Sequence, residues 1–432
     1  MNPTLTPQAA ARTTLFSFTG AALISATSSA PTPLYPLYRS LFHLTPTMLT
    51  LIFGAYTFAL LAALLTVGKV SDYTGRRPLM LLALAINAVA LVIFMSAGSA
   101  ATLIAARLVQ GFATGIALPT FGASLIDASK TRGPLLNSFT AFLGMTLGTL
   151  AGGILVTFAP FPTVTLYALL LILMLVAMAL LPLIPETIAP QPGVLAALRP
   201  QVSIPRRALG PLLMVTPVNI ATWMLGGFYL SLMPSMVANA TGLTSPFIGG
   251  SIVATLMLSA TAAVFLFRPL PPARALVIGT LMLIAGVSVT LAGLSLHSVA
   301  WLYLGTAIAG QGFGSIFSSV LKIIMQLAES HERAGLFSAF FDQKLSRLCP
   351  PCDCRRNGSA AYRAEPYRLV LWHDHHRAGT GVAAGDQRSR FSRSGQLINA
   401  PDAARYLPRH PQTVIFTYTQ RINFRRSCCV IP

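Results

Sequence analysis

Acidic residues are scarce in this chain, and none occurs before Asp72. Charged residues of both signs make up only 9% of the sequence, whereas hydrophobic residues make up 54% and the mean hydropathy is +0.68. A soluble domain carries about a quarter charged residues, so this composition excludes an ordinary soluble protein. The chain is predicted to be an integral membrane protein.

Cysteine is absent until Cys349, and basic charge is unevenly spread. Residues 1–341 hold 15 Lys and Arg with 5 Asp and Glu, and residues 342–432 hold the other 15 and 6. The net charge of +19 therefore does not describe a basic surface over the whole protein. Half of the basic charge belongs to the last fifth of the chain.

Ten apolar stretches in residues 1–341 are long enough to cross a bilayer core of roughly 30 Å, which takes about 20 helical residues. They lie near residues 15–37, 47–67, 79–97, 101–124, 135–158, 163–184, 210–234, 245–267, 274–295 and 299–321. Lipid offers no partner to backbone groups, and the stretches lack the alternation of barrel strands. The predicted fold class is an all-α membrane protein whose first span is retained rather than cleaved.

Basic residues fall on one set of alternating loops. The opposite loops carry only Arg39, with His43 and His297. Because Lys and Arg accumulate in cytoplasmic loops, the N-terminus is predicted to be cytoplasmic. The residues that support this orientation are Arg12, Lys69, Arg76, Arg77, Lys130, Arg132, Arg199, Arg206, Arg207, Arg268, Arg274 and Arg333.

A Pro-rich and basic connection separates six spans from four. We expect a six-helix bundle at residues 1–184, a cytoplasmic linker at 185–209 and a second, truncated bundle at 210–341. Residues 342–432 form a basic tail rich in Cys and Arg, predicted to be disordered and outside the membrane.

The most specific motif is "GKVSDYTGRRP", residues 68–78, between the second and third spans; we call it the latch loop. Its Gly68, Asp72, Gly75, Arg76 and Arg77 match the pattern G-x-x-x-D-x-x-G-R-R. With this motif the chain resembles the major facilitator superfamily of membrane transporters. The resemblance implies that the loop holds helix ends together in one transport state, with Asp72 facing helix amides or an Arg.

Two further motifs agree with this resemblance. "RLVQGFATG" (107–115) is similar to the family's R-x-x-Q-G motif and makes Arg107, Gln110 and Gly111 candidates for coupling. An Arg within a span faces a cavity or a partner, or reaches the outer interface, because burying it unpaired costs about 2.5–3.5 kcal/mol.

In the fifth span, "GTLAGG" (148–153) resembles an antiporter motif, with Thr149 where that motif has proline. Close helix packing explains the glycines equally well. They are Gly144, Gly148, Gly152 and Gly153.

The first span ends in "SSAPTPLYPLY" (28–38), whose prolines are predicted to break the helix and free carbonyls near the cavity mouth. The acid that the antiporter resemblance implies on this span is missing, and no acid of residues 1–341 lies within a span. Proton coupling therefore lacks an evident carboxylate carrier.

In the implied fold, the substrate cavity lies near the midplane between the two halves. Its candidates are Asn219, Trp223 and Tyr229 in the seventh span and Gln311 and Ser315 in the tenth, each of which equally suits helix packing. A mostly apolar cavity suits amphiphilic or aromatic compounds better than sugars, which favours efflux. The second-half counterpart of the latch loop, "FRPLPPARA" (267–275), has neither Asp nor glycine.

The tail contains the residue types of a zinc site, but their spacing fits no closed four-ligand pattern, and no metal or cofactor is predicted. An RNA-binding tail lacks a motif. The residues considered as zinc ligands are Cys349, Cys352, Cys354, His373, His375 and His376.

A third interpretation is that the gene is read in the wrong frame after Phe341. Advancing one nucleotide puts old wobble bases in the middle of new codons, so Cys, Asp, His, Asn and Tyr codons yield apolar or small residues. Between Leu345 and Asp386 only Glu365 forces a polar residue. Permitted codons turn "KLSRLCPPCDCRRNG" into NYLAFALPVIAGVMA and "LWHDHHRAG" into YGMIITVLA, which predicts an eleventh and a twelfth span.

These observations predict a secondary active or facilitative transporter, not an enzyme. We expect efflux of amphiphilic or drug-like small molecules through the bacterial inner (plasma) membrane by a monomer that binds no nucleic acid. The chain as written is expected to be inactive because two helices are lost. Uptake of sugars or metabolites, a ten-span transporter with a genuine zinc- or RNA-binding tail, and a membrane sensor remain alternatives.

Overall fold

The computed structural model of the chain describes residues 6–194, 206–243 and 245–327, with side chains left out at 206–209 and 324–327. Within these ranges the secondary structure is helical, and no strand occurs. The predicted all-α class is therefore confirmed. The predicted tail at 342–432, the end of the second bundle and residues 195–205 of the linker lie outside the described residues.

The first part of the chain forms eight helices. They are α1 (Pro7–Ser29), α2 (Tyr35–Leu41), α3 (Pro46–Val67), α4 (Ser71–Thr74), α5 (Arg76–Met95), α6 (Ala100–Ala128), α7 (Gly133–Phe158) and α8 (Pro162–Leu180). Short 3₁₀ turns at Thr32–Leu34 and Leu181–Leu183 follow α1 and α8.

The second part adds five helices within the described ranges. They are α9 (Arg206–Ser231), α10 (Met233–Thr241), α11 (Pro246–Leu266), α12 (Pro272–Ser295) and α13 (Val299–Leu327). The seventh predicted span thus ends at Ser231, and the short helix α10 follows it.

Nine described helical segments are long and apolar enough to cross a membrane, one for each predicted span from the second to the tenth. Helix α1 is not among them because its many Ser and Thr residues lower its hydropathy, although it is 23 residues long. Its small polar face packs against α6 and α7. The predicted first span at 15–37 was misplaced, because Pro31 and Pro33 end the helix at Ser29.

Helix starts follow the local sequence. Hydroxyl oxygens of Thr6, Thr45 and Ser99 accept hydrogen bonds from backbone N–H groups one turn inside α1, α3 and α6. Proline follows both threonines directly, where its missing N–H costs no helical hydrogen bond.

The described helices enclose two large hydrophobic cores. One is built from residues between Ala21 and Ile184, and the other from residues between Leu212 and Val320 together with Phe142 of α7. Two cores in sequence order agree with two bundles. Contact between them runs mainly along α7 and α11.

Candidate functional site

A cavity of about 160 Å³ lies between the two cores, lined by α1, α3, α6 and α7 on one side and by α9, α11 and α13 on the other. Most of its surface is apolar. Among the described residues, the side chains that line the cavity include no Asp, Glu, Lys, Arg or His. Its polar side chains carry hydroxyls, one amide and one indole N–H, contributed by Ser25, Ser28, Tyr56, Thr57, Thr114, Asn219 and Trp223.

Aromatic side chains form one wall of this cavity. The Trp223 ring lies edge-on to Phe313 and Phe317, with centroids 6.4 and 6.1 Å apart. Phe142 of α7 packs edge-on against the same two phenylalanines at 5.7 and 5.1 Å. Such edge-to-face contacts fix the rings and leave an apolar surface suited to a flat ring.

The five cavity candidates separate into two groups. Asn219 and Trp223 line the cavity, whereas Gln311 is half-buried on α13 and is not among the lining residues. Tyr229 lies inside the second bundle, where its hydroxyl is 3.1 Å from those of Thr290 and Thr306. The hydroxyl of Ser315 donates to the Ala275 carbonyl at 2.8 Å. These last two residues therefore serve helix packing.

Arg107 is fully buried and does not reach the outer interface. Its Nε donates to the Tyr35 hydroxyl at 3.1 Å, and its Nη1 donates to the Ser28 carbonyl and to Gln110 Oε1, both at 2.8 Å. Its Cζ lies 5.5 Å from the centroid of the Tyr56 ring. Because Tyr56 and Ser28 both line the cavity, the cation directly contacts two residues of the cavity wall.

Prolines at the end of α1 explain two of these contacts. In a continued helix, the N–H of residue 31 would donate to the Thr27 carbonyl, but Pro31 has no N–H. Gln110 Nε2 donates to that carbonyl at 2.9 Å instead, next to the Arg107 contact with Ser28. The predicted carbonyls freed by the proline-rich stretch thus lie against the R-x-x-Q-G motif.

A second polar cluster, which we call the latch cluster, lies at the latch loop. It consists of Ser71, Asp72, Arg76, Asp127, Glu186 and Thr187. Arg76 Nη1 contacts Asp72 Oδ1 and Ser71 Oγ, and Arg76 Nε donates to Asp127 Oδ2 at 3.1 Å. The hydroxyl of Thr187 donates to the same Asp127 oxygen at 3.2 Å. Helix α5 is thereby joined to α4, to the end of α6 and to the segment after α8.

Glu186 caps the start of α5. Its Oε1 accepts from the N–H of Arg76 at 2.7 Å, and its Oε2 accepts from the N–H of Arg77 at 2.9 Å. A carboxylate there satisfies helix amides and complements the positive end of the helix dipole. Gly75 adopts φ +94°, and a Cβ on it would lie 2.8 Å from Glu186 Oε2. Position 75 therefore requires glycine because its φ is positive and because a Cβ would be too close to the Glu186 carboxylate.

The glycines of α7 face two neighbours. A Cβ at Gly144 or Gly148 would overlap backbone carbonyls of α1, and one at Gly152 would lie 2.9 Å from the Ala30 carbonyl oxygen. Gly153 instead faces the start of α11, where its Cβ would be 3.3 Å from Phe247 Cα. On α6, Gly111 packs against the Tyr56 carbonyl, whereas Gly68 is tight only against its own preceding turn at Leu64.

Sequence reasoning missed the partners of both polar clusters. It did not assign Tyr35 and Tyr56 to Arg107, or Asp127 and Glu186 to the latch loop. For Glu186 a signal was present, since "PET" (185–187) stands at the end of the sixth span. Within the described ranges no group of three or more metal-ligating side chains occurs. The cysteines considered for zinc lie outside the described residues.

Long apolar helices form two bundles with a cavity between them. This arrangement defines a multi-pass membrane transporter. The family model described as Major Facilitator Superfamily matches residues 17–342, and the chain belongs to that superfamily. A bacterial homologue of the human lysosomal transporter Spinster, solved in an inward-facing and unoccupied conformation, is similar in structure, with 13% identity and a TM-score of 0.62. That likeness covers 78% of this chain and 80% of the other. No curated protein matches the sequence.

Proposed function

We propose that this protein exports small aromatic or amphiphilic compounds, as a secondary active or facilitative transporter. The observation that carries the proposal is the cavity between the bundles, with its wall of Trp223, Phe313 and Phe317 and few hydrogen-bonding groups. Burial of a flat apolar ring is favourable there, whereas a sugar would leave many hydroxyls unpaired. Export of amphiphiles therefore agrees better with the cavity than uptake of sugars.

The proposed location is the bacterial inner membrane, with the N-terminus in the cytoplasm and the protein a monomer without a nucleic-acid partner. Support comes from the basic residues of the alternating loops and from the latch cluster, which gathers the ends of α3, α5, α6 and α8 at one face. A reporter enzyme active only in the cytoplasm, fused before Thr6, should be active; activity only of a periplasmic reporter would reverse the topology.

The latch cluster is proposed to stabilise one state of the transport cycle. The Arg76–Asp127 ion pair joins α5 to α6, and the Glu186 carboxylate joins the segment after α8 to the start of α5, so separation of these helix ends would break both. The Arg76–Asp72 pair is local and holds Arg76 in place. An interaction present in one state alone shifts the equilibrium between states. This proposal gives Asp72, Arg76 and Glu186 a conformational role rather than a role in binding.

Coupling is proposed to be absent or to run through Arg107. Residues 6–327 contain three acids, Asp72, Asp127 and Glu186, and all three lie in the latch cluster. Arg107 is the one buried cation near the cavity among the described residues. Uphill transport that stops with an uncoupler but survives Arg107→Ala would contradict a coupling role for Arg107.

We also propose that the gene carries a frameshift near codon 342 and that the written chain does not transport. The family match ends at residue 342, beside the break placed after Phe341 from codon arithmetic. Alternating access needs two complete bundles that move against each other. Residues 342–432 offer no apolar stretch of about 20 residues that would supply the missing helices.

One experiment tests export and the frameshift together. Cells lacking their own exporters would carry either the written gene or a version with a one-nucleotide correction after codon 341, and accumulation of a fluorescent aromatic dye would be measured. We expect accumulation to fall only with the corrected gene. Equal export by both versions would overturn the frameshift proposal, and stoichiometric zinc in the written protein would then support a genuine tail. No export of any aromatic dye, with both proteins present in the membrane, would overturn the proposed export function.

A further inference from the structure

The first bundle lines the cavity with hydroxyl groups, among them those of Ser28, Tyr56 and Thr114, and the second bundle adds the amide of Asn219. Aromatic rings line the cavity from both sides, with Phe53 and Phe142 from the first bundle and Trp223, Phe313 and Phe317 from the second. A ring held among these side chains can therefore place a polar substituent near Tyr56.

The Tyr56 side of the cavity carries the field of a positive charge. Arg107 lies directly behind Tyr56, with its Cζ 5.5 Å from the ring centroid, and is completely buried. Its hydrogen-bond partners are a hydroxyl, a side-chain amide and a backbone carbonyl. These neutral dipoles orient toward the cation but do not cancel its net charge. In surroundings that exclude water, such a field is weakly screened and extends into the cavity.

The acidic residues that could offset the positive charge of Arg107 lie in the latch cluster and not beside the cavity. Asp72 and Asp127 are paired with Arg76, and Glu186 caps α5. None of the residues lining the described cavity carries a formal charge at neutral pH. The charge that a ligand meets in the described cavity is therefore the one behind Tyr56.

We propose that the transported compounds are aromatic weak acids, or their uncharged counterparts, and that the cavity rejects the matching cations. The proposal rests on the proposed function, because it assigns a substrate class to the same cavity. A carboxylate near Tyr56 can accept a hydrogen bond from the Tyr56 hydroxyl and gains from the field of Arg107. The hydroxyls of Ser28 and Thr114 donate instead to the Ser25 and Gln110 carbonyls, at 2.7 and 2.9 Å. An ammonium group at the same place is repelled by that field.

Cavity size selects the probes. A volume of about 160 Å³ is close to that of an engineered cavity of roughly 150 Å³ that binds benzene in another protein. Three single-ring compounds of equal shape are therefore suitable: 4-ethylbenzoate, 4-ethylbenzamide and 4-ethylbenzylamine, which are anionic, neutral and cationic at neutral pH. Binding would be measured by calorimetric titration of the purified full chain and of the frame-corrected chain.

We expect the benzoate or the benzamide to bind about tenfold or more tightly than the benzylamine. Arg107→Gln should reduce the preference for the benzoate over the benzylamine about tenfold, and Arg107→Lys should retain it. If Arg107→Gln does not fold, Asn219→Asp provides the test, because it places a carboxylate in the cavity wall and should reverse the preference. Arg274→Gln is its control, because it changes the net charge by the same amount at an exposed position outside the cavity lining, and it should leave the order of the three compounds unchanged.

Failure of this inference is distinguishable from failure of the proposed function. Benzylamine binding as tightly as the benzoate and the benzamide, or a preference that neither Arg107→Gln nor Asn219→Asp changes, overturns the charge selectivity while leaving an aromatic cavity in place. Binding of none of the three compounds to either form of the chain overturns both.

Discussion

The two bundles differ most in where they carry charge. The first holds the buried Arg107 and the three acids of the latch cluster, whereas residues 206–327 contain five Lys and Arg and no Asp or Glu. The second-half counterpart of the latch loop is residues 267–275. There Lys322 Nζ donates to the Arg268 carbonyl at 3.4 Å. The second bundle instead supplies most of the aromatic wall. Charge-dependent steps therefore belong to the first bundle, and ring binding belongs mainly to the second.

The largest expected effect on transport is the loss of the latch cluster. Glu186→Gln or Asp72→Asn in the frame-corrected chain should reduce the transport rate about tenfold, since the coupling free energy of such switches is about 1–3 kcal/mol. Membrane insertion should be unchanged because these side chains lie at a helix end outside the apolar spans. The measurement is initial-rate transport in vesicles, normalised to the amount of protein.

The matched change in the second bundle is Arg274→Gln, at an exposed position of residues 267–275. Its transport rate should stay within about twofold of the parent, because a surface charge contributes little. An equal loss in Arg274→Gln and Glu186→Gln would show that the two loops act alike and would refute the assignment of charge-dependent steps to the first bundle.

The next effect concerns stability. Arg107→Leu should destabilise the protein by about 3–5 kcal/mol, because Gln110, Tyr35 and the Ser28 carbonyl would each lose a buried partner. The measurement is the midpoint of thermal unfolding in detergent. Arg107→Lys should lie between Leu and the parent, since an ammonium group replaces only some of the hydrogen bonds. An unchanged midpoint in Arg107→Leu would mean that the buried cluster does not stabilise the fold.

Helix packing in α7 should give a smaller loss. Gly148→Ala is expected to cost about 1–3 kcal/mol, because the added Cβ overlaps the Ala26 carbonyl of α1. Gly54→Ala is the control, since a Cβ there meets nothing within 4 Å and alanine favours a helix. Thermal unfolding should separate the two variants, and equal midpoints would contradict close packing of α7 on α1.

The smallest effect is expected in the neutral cluster of the second bundle. Tyr229→Phe removes one hydroxyl that lies between those of Thr290 and Thr306 and should cost about 1 kcal/mol. Because the Thr290 hydroxyl also donates to the Gly286 carbonyl at 2.9 Å and keeps that partner, the loss should be well below that of Arg107→Leu. A larger loss for Tyr229→Phe than for Arg107→Leu would reverse the ranking of the two buried clusters.

Features that depend on neighbouring residues could be predicted from the sequence. The pairing of Asp72 with Arg76, the turn at Gly75 and the break after Ser29 all arise within a few residues. The partners Asp127 and Glu186 lie 51 and 110 positions from Arg76, and neither hydropathy nor spacing specifies which helix ends meet.

The cavity wall was harder to predict for a different reason. Most spanning helices are apolar on nearly all sides, so an amphipathic stripe does not distinguish a face toward lipid from a face toward the cavity. The buried serines of α13 mark helix packing, since Ser315 donates to the Ala275 carbonyl. Trp223 could be proposed from its place in the seventh span, but Phe142, Phe313 and Phe317 look like any lipid-facing residue in the sequence. Gln311, a polar residue in the tenth span, was predicted as a cavity candidate, but it lies outside the cavity lining.

Because Pro31 leaves the Thr27 carbonyl without its helical donor, the end of α1 depends during synthesis on a partner that is made later. Thr27 and Ser28 are synthesised 83 and 79 positions before Gln110 and Arg107, their partners on α6. At about 5–20 residues per second, the first helix waits on the order of ten seconds with acceptors that lipid cannot satisfy. During that interval the end of α1 needs water or the insertion machinery, so α1 completes its partition into lipid only when α6 arrives.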